Sequence, residues 1–176
     1  SNILNLSRRE TYYTLDCLLK NNLLQEDDGR LFLTPGYVHK GELTKKMQSS
    51  RFTRIFIEGI RQMYEQASPQ MHRKLYSLFL VLPYIHLQSN IVCKNTGEID
   101  LNYIEPYSTK DICTMCGYNN KNPSKFIRDL VDVKIGDAPI IGVVSYRGKD
   151  FIKINPSLYY GGTRIDELIE LVEDFM

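Results

Sequence analysis

The sequence predicts an α+β fold, mostly helical, and three observations predict it. From residue 70 onward the elements run helix, strand, short helix, glycine-containing turn, helix, two-stranded wing and helix, the order of a winged helix-turn-helix domain. A helix and a hairpin also open the chain, and the two hairpins leave through similar segments. Leu33-Thr34-Pro35-Gly36-Tyr37-Val38-His39-Lys40-Gly41 aligns without a gap to Ile154-Asn155-Pro156-Ser157-Leu158-Tyr159-Tyr160-Gly161-Gly162, with the proline and last glycine at a common offset. A long amphipathic stretch lies between. The expected organisation is two winged-helix modules joined by a long helix. Residues 1–41 form a partial first module, a recognition helix and wing without its leading helices. Residues 42–68 form a linking or dimerisation helix, 69–163 the second module, and 164–176 an acidic amphipathic helix.

Each element has a local reason. Ser7 is placed to cap a helix over 8–22, with Glu10 completing a capping box; Tyr12, Leu15, Leu18 and Leu19 share one face and Asn21-Asn22 ends it. Leu23-Leu24-Gln25, the turn Asp27-Asp28-Gly29 and Arg30-Leu31-Phe32-Leu33 read as a hairpin. Residues 41–66 read as one helix, with Phe52, Ile55, Phe56, Ile60 and Met63 apolar and Lys45, Lys46, Arg51, Arg54 and Arg61 on the other face. Its length would be about 40 Å, comparable to one turn of B-DNA, about 34–36 Å. Ser68-Pro69 breaks it and starts a helix over 70–82. Residues 90–93 read as a strand. Ser108 caps a helix over 109–116 that Gly117 stops. Pro123 opens a helix over 123–133 with Phe126, Ile127, Leu130 and Val131 inward. Residues 140–146 and 151–154 form a hairpin across Arg147-Gly148-Lys149, and 164–175 a last helix.

Composition excludes several function classes. Of 176 residues, 43% are hydrophobic and 24% charged, with 11 Gly and 7 Pro, so a mostly disordered chain is excluded. Lys plus Arg is 22 against 21 Asp plus Glu, so no bulk charge announces a polyanion. The longest apolar run, 78–85, is interrupted by Pro83 and too short to span a bilayer. No secretion signal is legible, and Ser1-Asn2 without an initiator Met reads as a trimmed start. Cys113-Thr114-Met115-Cys116 lacks the second close pair that a zinc site needs, and Cys17, Cys93, His39, His72 and His86 are scattered. Reduced, mostly buried thiols in a cytoplasmic protein are expected, with no cofactor and no metal.

The candidate chemistry is double-stranded DNA binding. In the second recognition helix Asn120, Lys121, Asn122, Ser124, Lys125 and Arg128 are expected near base edges of the major groove. At the wing tips Arg147 and Lys149, and Arg30 after Gly29, are expected on phosphates. Arg8, Arg9 and Tyr12, in the first turns of the opening helix, make a second reading head. The 42–66 helix offers a homodimer contact through Phe52, Ile55, Phe56 and Ile60.

Asn90-Ile91-Val92-Cys93, Ser108-Thr109-Lys110-Asp111-Ile112-Cys113 with Gly117-Tyr118, and Phe151-Ile152-Lys153-Ile154-Asn155-Pro156 with Tyr160-Gly161-Gly162 carry a further likeness. Over roughly 70–163 the chain resembles winged-helix proteins of plasmids and phages of Gram-positive bacteria, nearest the RepL-type plasmid replication proteins, whose wing also ends in an Asn-Pro segment. The resemblance implies DNA binding in replication initiation or in control of a mobile element, including its transcription.

Catalysis is not expected. Gly161-Gly162 lacks the Lys-Ser/Thr of a phosphate loop. Tyr159-Tyr160 imitates a twin-tyrosine nucleophile, but no closely spaced histidines stand by to hold its metal. The alternative to DNA binding is a winged-helix protein-interaction module, a partner or dimer scaffold, for which the near-zero net charge argues. Residues 165–176 hold Asp166, Glu167, Glu170, Glu173 and Asp174 and no basic side chain. The acidic tail therefore masks a mildly basic remainder, which favours DNA.

Overall fold

The computed structural model describes residues 6–36, 38–39, 41, 52–118, 121–146, 148–162 and 165–175. It is an α+β fold of α-helices and small antiparallel sheets, in two compact units, Ser1–Arg51 and Phe52–Met176.

The first unit follows from local signals. Ser7 Oγ accepts from the Glu10 N–H at 3.3 Å, and Glu10 Oε2 accepts from the Ser7 N–H at 2.9 Å. This capping box satisfies two orphan donors and starts α1, Arg8–Lys20. Asn21 ends the helix, and Asn22 at φ 56 turns the chain. β1, Leu24–Asp27, pairs antiparallel with β2, Arg30–Leu33, and Asp27 stands opposite Arg30. Asp28 at φ 47 and Gly29 at φ 71 join them, two left-handed residues in the manner of a type I′ turn. No described residue of this unit is buried.

The second unit corrects one expectation. The helix predicted over 41–66 is not continuous: Arg54–Ile55 form a strand, β3, and α2 runs only from Ile57 to Gln66. Residues 42–51 lie outside the described residues. The cause is a partner far along the chain. β3 pairs with β8, Tyr159–Tyr160, with Arg54 opposite Tyr160, and the Phe56 N–H donates to the Leu158 carbonyl at 3.0 Å. The aromatic and β-branched residues from Phe52 to Phe56 suit extended backbone, and here that preference outweighs the amphipathic pattern. α2 then lies against the chain at residue 157. A Cβ on Gly59 would stand 2.1 Å from the Ser157 carbonyl oxygen.

Three further helices join α2, which contributes Met63, and a hairpin in the core of this unit. They are α3, Pro69–Val81, α4, Thr109–Met115, and α5, Pro123–Val131. Leu75, Leu78, Ile112, Cys113, Phe126, Ile127 and Leu130 pack with Ile141, Ile152 and Ile154 of β6, Ile141–Tyr146, and β7, Lys149–Ile154. The segment expected as a strand over 90–93 lies along β7. The Val92 N–H donates to the Ile152 carbonyl at 2.9 Å, and the Ile154 N–H to the Asn90 carbonyl at 3.0 Å. A small hairpin between α5 and β6, β4 Lys134–Ile135 with β5 Ala138–Pro139, was not anticipated.

β7 leaves through a corner at Asn155. The buried Asn155 side chain donates to the Pro139 carbonyl at 2.8 Å and accepts from the Ser157 N–H at 2.8 Å. The unit ends with α6, Ile165–Glu173. No helix among the described residues is long and apolar enough to cross a membrane.

Candidate nucleic-acid interface

The candidate interface is built on α4, α5 and the β6–β7 hairpin. Ser108 Oγ accepts from the Asp111 N–H at 3.2 Å, and Asp111 Oδ2 accepts from the Ser108 hydroxyl at 2.6 Å and its N–H at 3.2 Å. Those bonds, helped by the nearby Lys94 and Lys110 charges, hold the Asp111 carboxyl below the usual range. Gly117 at φ 69 stops α4, where a side chain would be strained. The Tyr118 ring packs at 4.4 Å from that of Phe126 and ties the turn to α5.

Asn122 Oδ1 accepts from the Lys125 N–H at 3.1 Å and caps α5, with Pro123 in its first turn. Phe126, Ile127 and Leu130 are buried, while Ser124, Lys125 and Arg128 are exposed. Asp129, on the flank, is taken by Lys74 of α3. Among the described residues Lys125 and Arg128 form no ion pair, so their charge remains available to a ligand. Across the hairpin tip Gly148 at φ 73 makes the turn, and Ser145 Oγ donates to Asp150 Oδ1 at 2.5 Å.

The predicted site residues fall into groups. Ser124, Lys125 and Arg128 share one exposed surface of α5, and Lys121 is exposed just before it. Asn122 is a cap, so its acceptor oxygen is already used; an Asn directly before a first-turn Pro was a legible sign of that. Asn120, Arg147 and the Lys149 side chain lie outside the described residues. Arg8, Arg9, Tyr12 and Arg30 belong to the first unit and are exposed. There the Arg8 guanidinium stands 5.6 Å from the centre of the Tyr12 ring, and Arg30 faces Asp27 across the hairpin. The rigid spacer of about 40 Å expected between two reading heads is absent, because Arg54–Ile55 are a strand. Sequence reading missed Lys94 and Lys110, whose charges act on Asp111; Lys94 is far from α4 in sequence, and no local signal marks it.

Of the groups weighed for other chemistry, the tyrosine pair, Cys93 and Cys113 are buried and Cys116 is half-buried. Tyr159 and Tyr160 are both buried, and burial pushes the Tyr159 hydroxyl above its usual range. Burial also pushes the Cys116 thiol up to about 11 and those of Cys93 and Cys113 upward, so these three stay protonated and unreactive near neutrality. Among the described residues no group of three or more His, Cys, Asp or Glu is arranged to hold a metal ion. No protein-family model, no curated protein and no solved structure matches the chain.

Proposed function

We propose that this chain is a sequence-specific double-stranded DNA-binding protein. In this reading residues 69–163 act as a winged helix-turn-helix, α5 reads the major groove and the β6–β7 hairpin is the wing. The observation that carries it is the two-faced α5. One side is sealed into the core by Phe126, Ile127 and Leu130, and the other offers Lys125 and Arg128 without carboxylate partners among the described residues, with Gly117 ending the helix before it. The extended segment 91–93 along β7 supports it too, since a winged helix places a strand there before its turn. The sequence resemblance to RepL-type proteins favours a cytoplasmic role as a plasmid or phage replication initiator or mobile-element regulator.

The test is selection of bound duplexes from a genomic fragment library, followed by Lys125→Ala with Arg128→Ala on the selected site. The double variant should lose about 1–3 kcal/mol per base contact removed, more than tenfold in Kd for two such contacts, with circular dichroism unchanged. Unaltered affinity in a folded double variant refutes the assignment.

A second reading, a protein-interaction module, has its own observation. Ile99, Leu101 and Tyr103 are exposed by 86%, 59% and 68% on a loop held by its own hydrogen bonds: the Glu98 and Asp100 carboxylates accept from the Ile99 and Asn102 N–H groups, and the Asn95 amide donates to the Tyr103 carbonyl. For a homodimer, of the expected contact residues Phe52, Ile55, Phe56 and Ile60, Ile55 is exposed and the other three are half-buried.

A further inference from the structure

The acidic end of the chain is fixed to the hairpin that the DNA reading calls the wing. Leu171 and Phe175 are buried, while Glu170, Glu173 and Asp174 are exposed. The Phe175 ring fills the space over β6 at Gly142: a Cβ there would lie 3.2 Å from the ring. Asp174 pairs with Lys153 of β7. Gly142 and Lys153 stand opposite each other in the β6–β7 register, so both strands of the hairpin base carry one half of the seat, on one face. Lys153 is thereby a cation of this hairpin already bound to a carboxylate. Among the described residues Lys125 and Arg128 on α5 have no such partner.

We propose that the C-terminal acidic helix, seated by Phe175 on Gly142 and by Asp174 on Lys153, is a built-in competitor that restrains polyanion binding at the hairpin, so that releasing it tightens DNA binding. The inference rests on the DNA-binding reading above. Its physics is simple: a carboxylate on Lys153 holds the charge that a phosphate would otherwise take, and the exposed Glu170 and Glu173 of the same helix add negative charge that opposes an approaching polyanion. The glycine is part of the device, because a Cβ at 142 would stand 3.2 Å from the Phe175 ring and push it outward by a few tenths of an ångström.

The experiment uses the full chain and a random-sequence DNA duplex, read by fluorescence anisotropy over a salt series with thermal melting in parallel. Asp174→Asn unpairs Lys153 with little change in shape, and Phe175→Ala empties the seat without changing charge. Each should tighten binding about fivefold and steepen the log–log salt slope by about 0.9, one added phosphate contact. Lys153→Ala placed in the Asp174→Asn background should cancel the gain. Glu170→Gln with Glu173→Gln, which removes two charges but leaves the seat, should gain less than Asp174→Asn. If wild type binds DNA and Asp174→Asn binds no better, the restraint is overturned while the DNA reading stands. If the Glu170 and Glu173 variant gains as much as Asp174→Asn, the seat is overturned in favour of bulk charge. If neither wild type nor any variant binds the duplex or a selected fragment, the DNA reading falls and takes the restraint with it.

Discussion

β1–β2 and β6–β7 are both antiparallel hairpins behind a helix, both turn on a left-handed glycine, Gly29 and Gly148, and both leave through a proline corner. Around the first, no described residue is buried; around the second, Ile141, Ile152 and Ile154 enter a core with four helices, α2 to α5. Caps and turns therefore specify a helix and a hairpin without specifying a core. A core needs further amphipathic elements at large sequence separation, and only the second unit is shown to have them. A helix–hairpin pair of some thirty residues cannot close a core alone.

The sharpest way to break this comparison is to truncate matched hairpin residues. Ile152→Ala, at a position only 2% exposed, should destabilise the second unit by about 2–5 kcal/mol. Leu31→Ala, at 48% exposure, should change stability by no more than about 0.5–1 kcal/mol. Urea unfolding followed by circular dichroism measures both. Similar costs at the two sites would mean that the first hairpin does enter a core.

The aligned corners give a smaller contrast. Asn155 satisfies Pro139 and Ser157 from one side chain, while the hydroxyl oxygen of the aligned, half-buried Thr34 is shielded from solvent and has no hydrogen-bond partner among the described residues. Asn155→Ala should cost about 1–3 kcal/mol through the orphaned backbone groups. Thr34→Val, which keeps the shape and removes the unsatisfied hydroxyl, should be neutral or stabilise by up to about 1 kcal/mol. Equal losses at the two corners would show that the sequence echo reflects equivalent structure.

Caps provide the finest comparison. Ser108→Ala should cost about 1 kcal/mol in a helix that the core also holds, whereas Ser7→Ala should mainly lower the helicity of α1. Both boxes titrate with one sign. Hydrogen bonds from Ser7 and Ser108 lower the Glu10 and Asp111 carboxyls in the folded chain. Their contribution is therefore complete above the unfolded carboxyl pKa and is lost as pH falls through the folded one. An acid titration of helicity should show this loss in wild type and flatten in Glu10→Gln and Asp111→Asn; identical curves would rule the boxes out as its source.

Most elements were legible because their signals are local. Ser7 with Glu10, Gly29, Ser108, Gly117 and Pro123 each mark a helix or turn boundary within a few residues of where it falls. Sequence reading failed where a distant partner decides. The stretch from Phe52 to Phe56 carries both an amphipathic helical pattern and strand-forming residues, and Tyr159–Tyr160 settles the contest. For the candidate site, the outward face of α5 was readable from its periodicity. The engagement of Lys153 by Asp174 and of Asp129 by Lys74 was not, since nothing in either neighbourhood names the other.

The β3–β8 pairing also sets an order of assembly. It joins Arg54 to Tyr160, closing a loop of roughly a hundred residues, for which the entropic cost is about 4 kcal/mol beyond a constant. A two-residue ladder returns only about 1 kcal/mol for each net hydrogen bond. The ladder therefore cannot hold the chain ends together by itself; it closes after α3, α4, α5 and the hairpin have drawn those ends within reach. On the way back it opens first. Residues 52–56 should therefore set after the core hairpin and loosen before it, and amide hydrogens there should exchange well ahead of those on β7.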